Sequence, residues 1–206
     1  KDPFAKFKPG MEETDRGYLE MAEINRIMKT KMPSERLDKV RDIFIFSCYT
    51  GLAYDDVQKL KKSEIVKEAD GSLWIKTKRR KTGVRVNVKL LDVPLSIIHK
   101  YADHSDKPRL MEIPSNQKIN DYLKEIAGMC GIEKRITFHL ARHTFATTIT
   151  LMNGVPLETV SKMLGHTNIK TTMIYARITN PKIKQDMDVL QSKLAGTQKV
   201  MRVGTY

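Results

Sequence analysis

Two histidines, an arginine and a tyrosine gather in one stretch of the chain, 137–175: His139, Arg142, His166 and Tyr175. An imidazole can exchange a proton near neutral pH, and a guanidinium offers a planar fork of donors to phosphate oxygens. A phenol is a nucleophile once it is helped to lose its proton. His139, Arg142, Phe145, Ile149 and Met152 recur at helical spacing, so one stripe carries both polar groups and an apolar face. A half-buried guanidinium without a partner costs several kcal/mol, so Arg142 calls for an anion. No acidic residue lies between His139 and Val155, so that anion must come from elsewhere in the fold or from a ligand. His143, beside Arg142, reads as a core histidine. The set is suited to work on a phosphate.

The local punctuation predicts how these groups are held. Thr137 is the expected N-cap of the helix carrying His139 and Arg142, and Asn153-Gly154 supplies its stop. Pro156 suits the first turn of a second helix through Leu157, Val160 and Leu164, which Gly165 closes. His166 follows in the loop, and Tyr175 comes nine residues later, in the start of a third helix.

A second group of cations lies earlier. Lys78, Arg79, Arg80 and Lys81 are consecutive at the tip of an expected hairpin, with Arg85 beyond them. Such a tip reads either as a solvated turn or as a finger reaching to a phosphate backbone. The formal charge of +13 over 206 residues favours a polyanionic partner, nucleic acid ahead of an acidic membrane surface. A merely basic, soluble surface is the plain alternative. No apolar run nears the roughly 20 residues of a membrane span, and no signal peptide is visible. Cys48 and Cys130, both in apolar surroundings, read as buried reduced thiols of a cytosolic protein rather than a disulfide or metal site.

The remaining elements form one domain of helices around a small sheet. Residues 1–17, rich in Pro, Gly and charge, read as a linker arriving from an absent N-terminal DNA-binding domain. Helices are expected over 18–31, through Leu37, Val40, Phe44 and Cys48 to a C-cap at Gly51, and over 55–60. The period then changes, and 64–68, 73–78 and 84–90 read as strands, with Asp70-Gly71 and Thr82-Gly83 in the turns. Val84, Val86, Val88 and Leu90 alternate with Arg85, Asn87 and Lys89, one face in and one out. Further helices are expected over 94–101, from a cap at Ser115 or Asn116 to near Gly131, and after Asn180-Pro181 through Ile183, Met187 and Leu190. Residues 103–114 read as a loop and 196–206 as a loose tail.

Each motif alone is weak, but their order is specific. Thr50-Gly51-Leu52, then Lys81 on a hairpin, then His139, Arg142 and His143, then Leu164-Gly165-His166, then Tyr175, together resemble the catalytic domain of the tyrosine recombinases, the phage integrase family. The resemblance covers about 18–181. It implies a mainly α fold with a small three-stranded antiparallel sheet, residues 18–195 forming the catalytic domain. It also implies that Tyr175 attacks a scissile phosphate of double-stranded DNA, leaving a 3′-phosphotyrosine and a 5′-hydroxyl. His139 would take the phenolic proton, Arg142 and His166 would hold the phosphate, and Lys81 would protonate the leaving oxygen. Lys78, Arg79, Arg80, Lys81 and Arg85 would contact DNA. No cofactor and no metal is implied. Four protomers would act on two duplexes, and the setting would be the bacterial cytoplasm and nucleoid, for integration or excision of a mobile element.

One departure stands out. The family pattern places an arginine directly after Thr-Gly-Leu, and this chain has Ala53 there, although the acidic residue three positions on survives as Asp56. Some conjugative-transposon integrases are similar in lacking this arginine, so Arg79 or Arg80 on the basic hairpin is expected to supply the missing charge. The alternative is a non-catalytic DNA-binding relative that lost turnover with the arginine. A helix-turn-helix regulator would account for the helices around 155–176 but not for the Lys81 hairpin. A type IB topoisomerase would share the chemistry but not the Thr50-Gly51-Leu52 and Leu164-Gly165-His166 contexts.

Overall fold

The computed structural model describes residues 17–101, 107–176 and 180–195. Its elements run α1 (Met21–Lys29), α2 (Glu35–Thr50), α3 (Tyr54–Lys59), β1 (Ile65–Lys67), β2 (Leu73–Lys78), β3 (Arg85–Lys89), α4 (Asp92–Lys100), α5 (Asn116–Met129), α6 (Phe138–Thr144), α7 (Leu157–Leu164), α8 (Lys170–Met173) and α9 (Asn180–Ala195). The expected linker falls almost wholly outside the described residues, as does the tail 196–206 and part of the 103–114 loop.

The centre of the molecule is α2. Ser34 caps it by accepting from Leu37 N, and Gly51 ends it in the left-handed conformation at φ 69. Leu37, Val40, Ile43, Phe44, Ile45, Phe46 and Cys48 are all buried, which places apolar side chains on every side of the helix. Helices α1, α4, α5 and α6 pack around it. On α4, Lys100 Nζ donates to the buried Asp42 of α2 at 2.6 Å and Tyr101 Oη does so at 2.8 Å. Both cysteines are buried thiols.

Beside this bundle lies an antiparallel sheet in the order β1-β2-β3. Ile75 pairs with Val88, Thr77 with Val86 and Lys78 with Arg85. Val86 and Val88 are buried while Arg85, Asn87 and Lys89 are exposed, the alternation that the pleat demands. The expected first strand is shorter than its pattern, because Lys62–Glu64 form a 3-10 turn that bends the chain into β1.

The two ends of the segment 137–153 depart from a uniform capped helix. Thr137 stands at the N-cap of α6 but makes no capping bond with its side chain. Asn120 of α5 serves instead, accepting from Phe138 N at 2.8 Å. After α6 the backbone widens into a π segment, Phe145–Thr150, and tightens into a 3-10 turn, Leu151–Asn153, before Gly154. Thr150 Oγ1 donates to the carbonyls of Phe145 (2.9 Å) and Ala146 (2.7 Å), occupying acceptors that an α-helix would have used.

The widened turn carries Phe145 over the end of α2. A Cβ added at Gly51 would lie 2.4 Å from Phe145 Cδ1. Gly51→Ala should therefore cost about 2–5 kcal/mol, from left-handed backbone plus overpacking. Urea unfolding checks this: the midpoint should fall at unchanged slope. An unchanged midpoint would mean that Phe145 can move aside freely.

Candidate active site

Arg142 is only 2% exposed, and its expected anion is not a carboxylate. Nη1 donates to Gly51 O at 2.6 Å, and Nη2 donates to Leu164 O. Gly51 is the C-cap of α2 and Leu164 is the last residue of α7. Both carbonyls lie at helix C-termini, where unsatisfied oxygens carry the negative end of the helix dipole. The fold thus supplies partial negative charge from two helix ends. Burial, with Arg79 close by, lowers the guanidinium pKa to about 10, which leaves it cationic at neutral pH.

Arg79 reaches the same place from the hairpin. Its Nη1 donates to Leu164 O at 3.3 Å, so two guanidiniums converge on one carbonyl oxygen. Its Nε is buried with no hydrogen-bond partner. Arg80 points the other way: its side chain is exposed, and only its backbone N–H engages the domain, donating to Asp56 Oδ1 at 2.8 Å. Lys81, Lys78 and Arg85 are exposed on the hairpin. The hairpin is hooked to the α7 corner by Thr82 Oγ1, which donates to Gly165 O at 3.3 Å. Gly165 has to be glycine there: its φ is +63, and a Cβ would meet Val86 Cγ2 at 2.7 Å and Arg79 Cδ at 3.3 Å.

His166 stands next to both arginines. Its Nε2 lies 3.1 Å from Arg142 Nη2 and its Nδ1 lies 2.8 Å from Thr172 Oγ1. Burial first, then Arg142 and Arg79, lower its pKa to about 4, so the ring is neutral at pH 7. Tyr175 is half-buried against Phe145, Ala146, Val160 and Leu164, and its backbone N–H donates to Thr172 O at 3.0 Å.

His139 is exposed at the first turn of α6. It joins Tyr175 through a third ring: His139 and His143 centroids are 4.7 Å apart, and His143 and Tyr175 5.0 Å, both edge to face. His143 is buried, as a core histidine should be, yet it lies between the two expected reactive groups. Arg79, Arg142, His166, His143 and Tyr175 therefore form one cluster, with His139 at its rim and Lys81 two residues past Arg79 on the turn. A groove between the sheet and α7 opens beside His166, edged by Arg85, Lys89 and Lys162.

Sequence reasoning left Arg79 and Arg80 undecided, although the signal was present. Ile75 and Thr77 share one face of β2 and Lys76 and Lys78 the other, and Arg79 and Arg80, just past the end of the strand, continue the same alternation. Ile75, Thr77 and Arg79 are buried or half-buried, and Lys76, Lys78 and Arg80 are exposed. Thr172, fully buried, was missed, because a threonine among others carries no mark until its hydroxyl is seen against an imidazole.

Residues 18–181 match the phage integrase family. A tyrosine recombinase XerD of Listeria monocytogenes is 50% identical over 62 residues, 30% of this chain and 20% of that protein. A tyrosine recombinase XerA of Thermococcus onnurineus is 26% identical over 174 residues, 78% of this chain and 58% of that protein. This chain thus spans from a fifth to less than two thirds of the length of these curated relatives. Among solved structures, the Tn1549 transposon integrase in complex with a circular-intermediate DNA shares the fold, with a TM-score of 0.68 at 14% identity over 89% of this chain and 67% of that one. Among the described residues, no helix is long and apolar enough to cross a membrane.

Proposed function

Because the chain belongs to the phage integrase family, we propose that it is the catalytic domain of a site-specific DNA recombinase, cleaving and rejoining strands through Tyr175. The observation that carries this is the convergence of Arg79 and Arg142 on one carbonyl oxygen, with a neutral His166 against Arg142, beside the segment that bears Tyr175. Two like charges so close repel each other, and a doubly hydrogen-bonded phosphate between them would relieve that repulsion.

The reaction is a transfer at phosphorus. Tyr175 Oη bonds to the scissile phosphorus as the bond to the 5′ oxygen breaks, giving a 3′-phosphotyrosine. A phenol with an ordinary pKa near 10 needs its proton removed at neutral pH, and His139 at the rim takes it. Lys81, exposed on the hairpin beside the cluster, gives a proton to the departing 5′ oxygen. Arg142 and Arg79 hold the non-bridging oxygens as charge grows on them, and His166 donates a further hydrogen bond. A 5′-hydroxyl of a partner strand then reverses the step, so the bond energy is kept. Arg79 takes the place left open by Ala53, while Asp56 anchors the hairpin that delivers it.

Lys78, Arg80 and Arg85 contact the duplex backbone on the hairpin side, continuing along the groove edged by Lys89 and Lys162. Residues 18–195 form the catalytic unit, reached by a linker at 1–17 from a domain that clamps the other face of the DNA. Four protomers on two duplexes, in a bacterial cytoplasm and serving a mobile element, complete the reading.

The test is covalent trapping. The protein is incubated with nicked duplexes in EDTA, denatured, and examined for a protein–DNA adduct; an adduct is expected. Tight binding of the longer protein to its own attachment site, without any adduct, would replace this reading by that of a DNA-binding relative without turnover.

A further inference from the structure

We infer that Thr172 is the positioning residue that lets His166 exchange roles, from acceptor to Arg142 in the empty site to donor toward the phosphate in the loaded one. This role rests on the recombinase reading of the same site and adds a residue to it.

The hydrogen-bond roles follow from the donors. A guanidinium N–H can only donate, so His166 Nε2, 3.1 Å from Arg142 Nη2, must present its lone pair there. The ring is neutral, so its one proton sits on Nδ1 and is donated to Thr172 Oγ1 at 2.8 Å. In that tautomer Nε2 has no hydrogen to offer a phosphate oxygen. For His166 to donate from Nε2, the ring must carry its proton there and accept at Nδ1.

A carbonyl or carboxylate opposite Nδ1 would lock the first tautomer, and an amide N–H would lock the second. A hydroxyl serves both, accepting in one and donating in the other. Thr172 is 0% exposed, so solvent is not in position to take its place. The change balances without net charge: the half-exposed ring breaks its contact with Thr172, releases the Nδ1 proton to solvent and takes one up at Nε2, and then returns to a threonine O–H that has rotated to donate. The entering phosphate favours it, because Arg142 Nη2 then donates to a phosphate oxygen rather than to Nε2.

Thr172 lies three residues before Tyr175, and its backbone carbonyl accepts the Tyr175 backbone N–H at 3.0 Å, a bond that side-chain substitution leaves in place.

Two variants separate this role from packing: Thr172→Val keeps the shape and loses the hydroxyl, and Thr172→Ser keeps the hydroxyl and loses a methyl. Nitrogen-15 shifts of the His166 ring, read on DNA-free protein, should show a protonated Nδ1 and a bare Nε2 in the parent and in Thr172→Ser. In Thr172→Val the Nδ1 proton loses its acceptor and the ring its anchor, so the ring should turn away from Arg142 and the two nitrogens should move toward averaged shifts. Single-turnover adduct formation should fall on the order of 10- to 100-fold in Thr172→Val, the range seen when a metal-ligating histidine loses its orienting hydrogen-bond partner. Thr172→Ser should stay close to the parental rate, and DNA affinity should be unchanged in both.

Equal damage in Thr172→Ser and Thr172→Val would reduce Thr172 to packing. Parental ring shifts and rate in Thr172→Val would also overturn the inference. Because the shifts need no turnover, they decide on Thr172 even if the parent forms no adduct, an outcome that bears on the recombinase reading instead.

Discussion

Tyr175→Phe is expected to abolish the covalent protein–DNA adduct while leaving the fold and the affinity for DNA intact. The phenolic oxygen is the only heavy atom removed, and it is the atom proposed to bond to phosphorus. What the ring contributes to structure survives in phenylalanine. It continues to pack against Phe145, Val160 and Leu164, and to meet the edge of His143 at about the observed 5.0 Å. Stability should therefore change by no more than about 1 kcal/mol, the usual worth of one hydrogen bond. Denaturing electrophoresis after incubation with a nicked duplex reads the adduct, and thermal unfolding reads the fold. An adduct that persists in Tyr175→Phe would move the nucleophile to another residue.

Arg79→Ala should lower the single-turnover cleavage rate by on the order of 10²–10³, the usual cost of removing one preorganised donor from a developing oxyanion. Arg80→Ala should leave that rate near the parental value at saturating protein, while weakening DNA binding and flattening its salt dependence. The contrast follows from the opposite directions of two neighbouring side chains just past the end of β2. Arg79 runs inward to Leu164 O, whereas the Arg80 side chain faces solvent and its tie to Asp56 uses the backbone N–H, which alanine retains. Arg79→Ala also removes the neighbouring charge that lowers the Arg142 pKa, so Arg142 should become easier to keep protonated and the fold no less stable. Arg79→Lys keeps the charge but loses the planar fork, and should fall between parent and alanine variant. Cleavage at the parental rate in Arg79→Ala would mean that the place left by Ala53 is filled by something other than Arg79.

On the proposed reading, the hairpin rather than α3 supplies the compensating arginine. Ala53 sits at the N-cap of α3 with no side chain to extend, and Asp56 in the following turn is committed to the Arg80 backbone. The carboxylate thus fixes the hairpin against the domain, and the residue before Arg80, Arg79, is directed to Leu164.

Much of this protein could be read from its residues in order. The mainly helical fold with its three antiparallel strands was legible because helical spacing, two-residue alternation and turn glycines are local properties. The α2 stop at Gly51, the Val86 and Val88 face and the Gly165 corner are of this kind. The family was legible because its motifs recur in a fixed order from Thr50 to Tyr175.

What the tertiary structure decided lies where chain segments far apart in sequence meet. Arg142 is satisfied by the carbonyls of Gly51 and Leu164, and a carbonyl carries no residue letter to read. In the π segment after α6 the Thr150 hydroxyl takes the backbone oxygens of Phe145 and Ala146. The partnership of Thr172 with His166, and the position of His143 between His139 and Tyr175, depend on how α8 folds back onto α6 and α7. Local periodicity settles which face of an element is buried; only the packing of one element on another settles which donor meets which acceptor.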